Sequence, residues 1–203
     1  MPDDNAKSRD EVKTMNRSVL TCLLVSKLKA REAVVAGIGN TNFDLWASGQ
    51  RPENFYMLGS MGMATPIAFG VAVAQPNRKV FALDGDGSIL MQLGALGTVA
   101  AAAQKNLAII IWDNGLYQIT GSQQTLTSKG TDLVAMAKGA GIAQSYWASD
   151  EKHFEALVEK ILSSDGPWFI VAKIDGEKPA GTTERDPVKI RLNFMNGLSS
   201  GKP

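Results

Sequence analysis

Lys79-Val80-Phe81-Ala82-Leu83-Asp84-Gly85-Asp86-Gly87-Ser88 decides the fold, read together with Leu107-Ala108-Ile109-Ile110-Ile111-Trp112-Asp113-Asn114-Gly115 further along the chain. Each stretch opens as a short unbroken apolar run and stops at a glycine-bearing turn. Runs that do not alternate with polar residues suit strands buried on both faces of a parallel sheet. The Ala-rich segment 90–103 between them is expected to be a helix, so the second strand returns beside the first through one crossover.

The same alternation continues outward in both directions. Residues 33–37 (AVVAG) form another apolar run with a glycine stop, preceded by 11–29, where Val12, Met15, Val19, Leu23 and Leu24 fall near helical spacing. Helices are expected over 41–48 and 62–74. A polar, Gly- and Thr-rich loop is expected over 114–130, then helix 132–139, a strand near 143–147, helix 150–163 and strand 168–174. Strands alternating with helices predict one three-layer α/β/α domain with a mostly parallel sheet, spanning 11–196. Residues 1–10 and 197–203 are expected to be flexible tails.

Composition narrows the function. The 203 residues are 44% apolar, too many for a disordered chain. With 21 Lys+Arg against 20 Asp+Glu and no basic cluster, the chain does not resemble a nucleic-acid binder. No apolar run reaches the roughly 20 residues needed to span a bilayer, and the polar start lacks a signal-peptide core. The single cysteine, Cys22, cannot form an internal disulfide and reads as a small core residue; a cytoplasmic location is the expectation. The single histidine, His153, opens a helix and is expected at the surface.

In open parallel sheets ligands bind beyond the carboxyl ends of the strands. Three glycine-bearing turns fall there: Gly37-Ile38-Gly39-Asn40, Gly85-Asp86-Gly87 and Asp113-Asn114-Gly115. Their amides can approach a phosphate closely, and Asp86 and Asn114 add the oxygen ligands of a hard cation. An EF-hand fails, because its sixth and twelfth positions are Ile89 and Ala95 where Gly and Glu are required. A dinucleotide fingerprint is incomplete, with Asn42 at the third glycine. Asp-Gly alone is also ordinary turn chemistry. Asp84 is expected to cap its turn.

Twenty-six residues separate Gly87 from Asn114. That spacing resembles the Gly-Asp-Gly…Asn motif of thiamine-diphosphate-dependent 2-oxo acid decarboxylases. The segment Asn54-Phe55-Tyr56-Met57-Leu58-Gly59-Ser60-Met61-Gly62-Met63-Ala64 is similar to the one preceding that motif. Within the family the likeness is strongest to the branch acting on sulfopyruvate or phosphonopyruvate, carried also by 113–118, Thr120-Gly121-Ser122-Gln123 and Asp186-Pro187-Val188-Lys189-Ile190.

The resemblance implies a thiamine-diphosphate-binding fold that holds the cofactor's diphosphate through Mg²⁺. Its metal ligands would be the Asp86 carboxylate, the Asn114 side-chain oxygen and the Leu116 carbonyl. Asn40, Thr41, Gly85, Gly87, Ser88 and Tyr117 would complete the cofactor contacts, with Gly59, Ser60 and Met61 at the ring end. Gly59 would accept a hydrogen bond from the aminopyrimidine, and Met61 would wedge the two rings into a bent conformation, the catalytic role of this chain; a plain core methionine is the alternative. Thr120, Ser122, Gln123 and Thr125 are candidate substrate donors or, equally, members of a polar surface loop; Gln118 is expected either to face the substrate or, equally, to make a structural hydrogen bond.

The family also needs a glutamate against the pyrimidine. Glu11, Glu32, Glu53, Glu151, Glu155, Glu159, Glu177 and Glu184 lie in no matching context. A pyrimidine-binding α subunit is therefore expected to supply it in a hetero-oligomer that converts a 2-oxo acid to CO₂ and an aldehyde. A carboligase subunit of acetolactate-synthase type, a non-catalytic cofactor-binding subunit and a nicotinamide-binding domain are the alternatives. No arginine stands in the motif region, so any cation for the substrate is expected on the partner.

Overall fold

The computed structural model describes residues 7–29 and 31–199. Six parallel strands form the main sheet: β1 (Ala33–Ala36), β2 (Asn54–Tyr56), β3 (Val80–Gly85), β4 (Leu107–Asp113), β7 (Gln144–Ala148) and β8 (Trp168–Lys173), in the order β2-β1-β3-β4-β8-β7. Every pairing in this sheet is parallel. The two decisive apolar runs are its central neighbours β3 and β4, with Val80 opposite Leu107 and Gly85 opposite Trp112.

Two helical layers explain why these strands are apolar on both faces. α1 (Arg17–Lys27), α2 (Asn40–Ser48) and α7 (Glu151–Ser163) bury Leu20, Leu24, Leu45, Phe154 and Val158 against Phe81, Leu83, Ile110 and Ile170. On the other face α3 (Ala64–Ala74), α5 (Gly94–Ala102) and α6 (Leu133–Gly139) bury Ala68, Leu96, Val99 and Leu133 against Ala82, Ile109, Ile111 and Val171. The expected three layers are present.

Several boundaries differ from the sequence reading. The periodic segment 11–29 is not one helix. A 3-10 turn occupies Arg9–Glu11, Met15 bridges in parallel to Ile174, and α1 begins only after Asn16, whose side chain accepts from the Val19 amide at 3.1 Å. Segment 90–103 is helical only over α5; Leu90 ends a separate short helix, α4 (Asp86–Leu90), which turn bonds from Met91 to Ser88 and from Gln92 to Ile89 close. The loop 114–130 contains a small antiparallel hairpin, β5 (Leu116–Tyr117) with β6 (Gln123–Gln124), and a 3-10 turn at Leu126–Lys129.

The edge strand β2 was not foreseen, nor was α8 (Pro187–Ser199), which covers that edge through a tilted Phe55–Phe194 contact of 5.2 Å. Residues 7–10 and 197–199, expected within tails, are thus placed by the 3-10 turn and by the end of α8; residues 1–6 and 200–203 lie outside the described residues. Cys22 is exposed, with Sγ 3.2 Å from Ser48 Oγ, and corrects its reading as core: it faces outward from α1, while Leu20 and Leu24 turn inward. His153 is half-buried, its Nδ1 2.8 Å from Ser149 Oγ. Among the described residues no helix is long and apolar enough to cross a membrane.

Candidate functional site

The carboxyl ends of β1, β3 and β4 open onto one cleft. Asp86 follows β3 as the first residue of α4, and Asn114 follows β4, so the pairing of these two strands brings both side chains to the same rim. Asn40, Thr41, Met61, Gly85, Asp86, Gly87, Ser88, Asn114, Leu116, Tyr117 and Gln118 line the cleft. Gly59 and Ser60 do not; they lie in the exposed loop before Met61. Thr120, Ser122 and Gln123 also stand apart, on the exposed tip and second strand of the hairpin, and in this chain they are surface residues. Thr125 turns inward to Asp86, where it serves the carboxylate cluster.

Close approaches hold the cleft in shape. A Cβ on Gly37 would overlap Asp84 Oδ1, and one on Gly87 would overlap the Tyr117 ring. Glycine is therefore required at both positions by packing within this chain. Ser60 (φ 63°) and Gly62 (φ 85°) are both left-handed and bracket Met61 in a tight turn. The Gly62 amide donates to Ser88 Oγ at 2.7 Å, so the Met61 turn is tied to the first turn of α4. By contrast, among the described residues nothing beyond its chain neighbours lies within 4 Å of where a Gly59 Cβ would point.

Asp84, Asp86 and Asp113 are almost completely buried. Asp86 Oδ2 accepts from Thr125 Oγ1 at 2.5 Å and Thr127 Oγ1 at 2.8 Å, while Thr127 Oγ1 also lies 2.8 Å from Asp113 Oδ1. A hydroxyl carries one hydrogen, so Thr127 satisfies only one carboxylate at a time. Burial, reinforced by the Asp113 charge, pushes the Asp86 carboxyl up to about 6; the two threonines and the Gly87 amide work against that rise. Burial likewise pushes Asp84 up to about 6, with the Ser88 hydroxyl and the Gly85 amide opposing it. Asp84 Oδ1 accepts from the Gly85 amide at 3.0 Å, the turn role expected for it, while its Oδ2 has no hydrogen-bond partner among the described residues.

On the opposite rim Asn114 Oδ1 accepts from the Leu116 amide at 2.9 Å, and Asn114 and Asn40 both donate to Gln118 Oε1, at 3.2 and 2.9 Å. Gln118 in turn donates to the Gly176 carbonyl at 2.6 Å. It acts here as a brace between three loops. Arg17 also lines the cleft, buried and paired through Nε with Asp44 Oδ2 at 2.6 Å. Sequence reasoning missed it because it lies 69 positions before Asp86, where only the return of α1 beside α2 brings it near.

The donor chemistry fits a hard divalent cation. A carboxylate, an amide oxygen and a main-chain carbonyl suit Mg²⁺, which keeps waters and phosphate oxygens for its remaining positions. A cation beside Asp86 would also offset the burial and the neighbouring charge that disfavour its ionised form.

Comparison with known proteins identifies the family. Residues 37–172 match the family described as "Thiamine pyrophosphate enzyme, C-terminal TPP binding domain". The chain is 38% identical over 176 residues to the sulfopyruvate decarboxylase subunit beta of Methanocaldococcus jannaschii, covering 86% of this chain and 93% of that one. It is 40% identical over 147 residues to the phosphonopyruvate decarboxylase of Streptomyces hygroscopicus, covering 72% of this chain but only 36% of the relative. Among solved structures, the thiamine diphosphate-dependent 4-hydroxybenzoylformate decarboxylase of Rhodococcus jostii RHA1 shares the fold with a TM-score of 0.69 at 23% identity, over 84% of this chain and 34% of that one. The chain belongs to the thiamine pyrophosphate enzyme family, as its C-terminal TPP-binding domain.

Proposed function

We propose that this chain is the diphosphate- and Mg²⁺-binding subunit of a two-chain, thiamine-diphosphate-dependent decarboxylase acting on a 2-oxo acid of the sulfopyruvate or phosphonopyruvate class, releasing CO₂ and an aldehyde. The observation that carries this reading is the meeting of Asp86, Asn114 and Leu116 on one cleft that Gly87, Ser88, Asn40 and Thr41 also line. The bound cofactor supplies the electron sink for loss of CO₂. This chain's residues bind and orient. Asp86, Asn114 Oδ1 and the Leu116 carbonyl would hold the metal, the Gly87 and Ser88 amides would serve the diphosphate, and Met61, held by its turn, would offer the rings a fixed apolar surface.

Partner dependence is supported by the outer surface. α3 and α5 contain no charged residue, and Leu58, Met63, Val73 and Met91 stand exposed beside or behind the Met61 turn. Helices apolar on nearly every side need a covering layer that the described residues do not provide. A chain carrying the pyrimidine-side glutamate fits that surface. It also fits the greater length of the phosphonopyruvate decarboxylase relative, of which this sequence spans about a third. A cytoplasmic location goes with this reading, because Cys22 is a lone exposed thiol that a reducing compartment keeps reduced.

The test is reconstitution. The chain with its partner, thiamine diphosphate and Mg²⁺ is expected to release CO₂ and the matching aldehyde from sulfopyruvate or phosphonopyruvate. Appreciable turnover by this chain alone contradicts the shared site, and condensation products in place of the aldehyde point to a carboligase.

A further inference from the structure

We infer that Arg9 is a positioning residue for the metal loop: through Asp113 it fixes both halves of the ligand set that Asp86 and Asn114 supply. This rests on the metal-site reading above and adds a residue that the sequence consigned to a tail.

Asp113 is fully buried at the end of β4 and directs its oxygens to three partners. Its Oδ2 takes the Arg9 Nε at 2.9 Å. Its Oδ1 accepts from the Gly115 amide at 3.0 Å and lies 2.8 Å from Thr127 Oγ1. The Gly115 bond sets the turn that aims Asn114 Oδ1 and the Leu116 carbonyl. The Thr127 contact reaches Asp86, which Thr127 also touches at 2.8 Å. One carboxylate thereby orients the Asn114–Leu116 turn directly and shares the single Thr127 hydroxyl with Asp86, as hydrogen-bonded groups behind metal ligands do elsewhere.

Among the described residues, the ion pair found for this buried carboxylate is with Arg9. The arginine also packs close to the loop: a Cβ at Gly115 would come within 2.9 Å of its Nη2. The segment that delivers it is fastened on both sides. Glu11 accepts from the Ser8 amide and hydroxyl at 2.7 and 2.9 Å, and Lys13 and Met15 donate to the Ser149 and Lys173 carbonyls, both at 2.9 Å. Removing the guanidinium leaves a buried charge without its counterion, a change that costs more than the pair itself contributes. Asp113 then turns from Gly115 and Thr127, and the ligand set loses its aim.

The test uses the full chain with its partner subunit and measures Mn²⁺ affinity in the presence of thiamine diphosphate by electron paramagnetic resonance, alongside thermal stability in EDTA. Arg9→Met is expected to weaken Mn²⁺ binding about 10- to 100-fold, the range for groups behind metal ligands. Arg9→Lys is expected to recover only part of this, since an ammonium cannot both pair with Asp113 and lie on Gly115. With Asp113→Asn already present, removal of Arg9 is expected to change Mn²⁺ affinity less than about threefold, because no buried charge remains to neutralise. The inference is overturned if Arg9→Met lowers the melting temperature while Mn²⁺ binds as in the native chain, which is the signature of a mere staple. It is equally overturned if Arg9→Met weakens Mn²⁺ binding as much in the Asp113→Asn background as in the native chain. Failure of the underlying site looks different: Asp86→Ala would then bind Mn²⁺ as tightly as the native chain.

Discussion

Replacing Asp86 by Asn is predicted to make the metal-free chain more stable at neutral pH while abolishing Mg²⁺-dependent cofactor binding. In the folded, metal-free chain the Asp86 carboxyl stands at about 6 against an ordinary value of 3.8. The folded state therefore binds the proton more tightly than the unfolded state does. Stability from this group is fully present below the unfolded value and is lost as pH rises through about 6. A shift of roughly two units corresponds to about 3 kcal/mol, an upper bound for the penalty at pH 7.5. The asparagine keeps part of the burial cost, but its amide can donate towards Asp113 or the threonine hydroxyls, so the net gain is about 1–2 kcal/mol.

For a chain of this size each kcal/mol moves the melting temperature by about 2–4 °C. The variant is thus expected to melt roughly 2–8 °C higher than the native chain at pH 7.5 in EDTA, and to lose that advantage as the pH falls to about 4, where it melts level with or below the native chain. Saturating thiamine diphosphate and Mg²⁺ should reverse the order, because only the native chain gains binding free energy, about 2.7 kcal/mol at 100 times Kd. Circular-dichroism melts from pH 4 to 8, with and without cofactor, read all of this. An asparagine variant that melts lower than the native chain in EDTA at pH 7.5, or whose advantage does not vary with pH, refutes the claim that this carboxylate is held under electrostatic strain for a cation.

Three further outcomes follow from the geometry. Met61→Ala should fold and still bind thiamine diphosphate but lose about 100-fold in turnover with the partner present, as expected for displaced reacting groups; unchanged kcat removes its proposed role. Gly87→Ala drives a methyl into the Tyr117 ring and Thr125, so it should cost about 1–3 kcal/mol in urea unfolding and weaken cofactor binding as Tyr117 moves. Ile110→Ala, at the centre of β4 and fully buried, should cost about 2–5 kcal/mol in the same assay without altering cofactor affinity beyond the loss of folded protein.

The parts of the fold legible in the sequence were those with local causes. The runs at 80–85 and 107–113 are apolar because both faces of the sheet are covered, and their glycine stops mark the end at which ligands collect. That much predicted the Asp86–Asn114 convergence. The unread parts depend on contacts distant in sequence. β2 is three residues long and is recognisable as a strand only by its pairing with β1; Arg9 and Arg17 carry no local motif, and the return of the N-terminal segment along the sheet brings Arg9 to Asp113 and Arg17 to the cleft. Val12 and Met15 matched a helical period by chance while belonging to an extended segment beside β8. Thr120, Ser122 and Gln123 were drawn into the site by nearness in sequence to Asn114, but the β5–β6 hairpin turns them away from it.

The most direct measurement is anomalous diffraction from crystals of the chain with its partner, grown with thiamine diphosphate and Mn²⁺. The predicted result is a single strong peak between Asp86, Asn114 Oδ1 and the Leu116 carbonyl, with diphosphate oxygens completing the shell. A Mn²⁺–diphosphate unit bound elsewhere, with Asp86 and Asn114 untouched, contradicts the account.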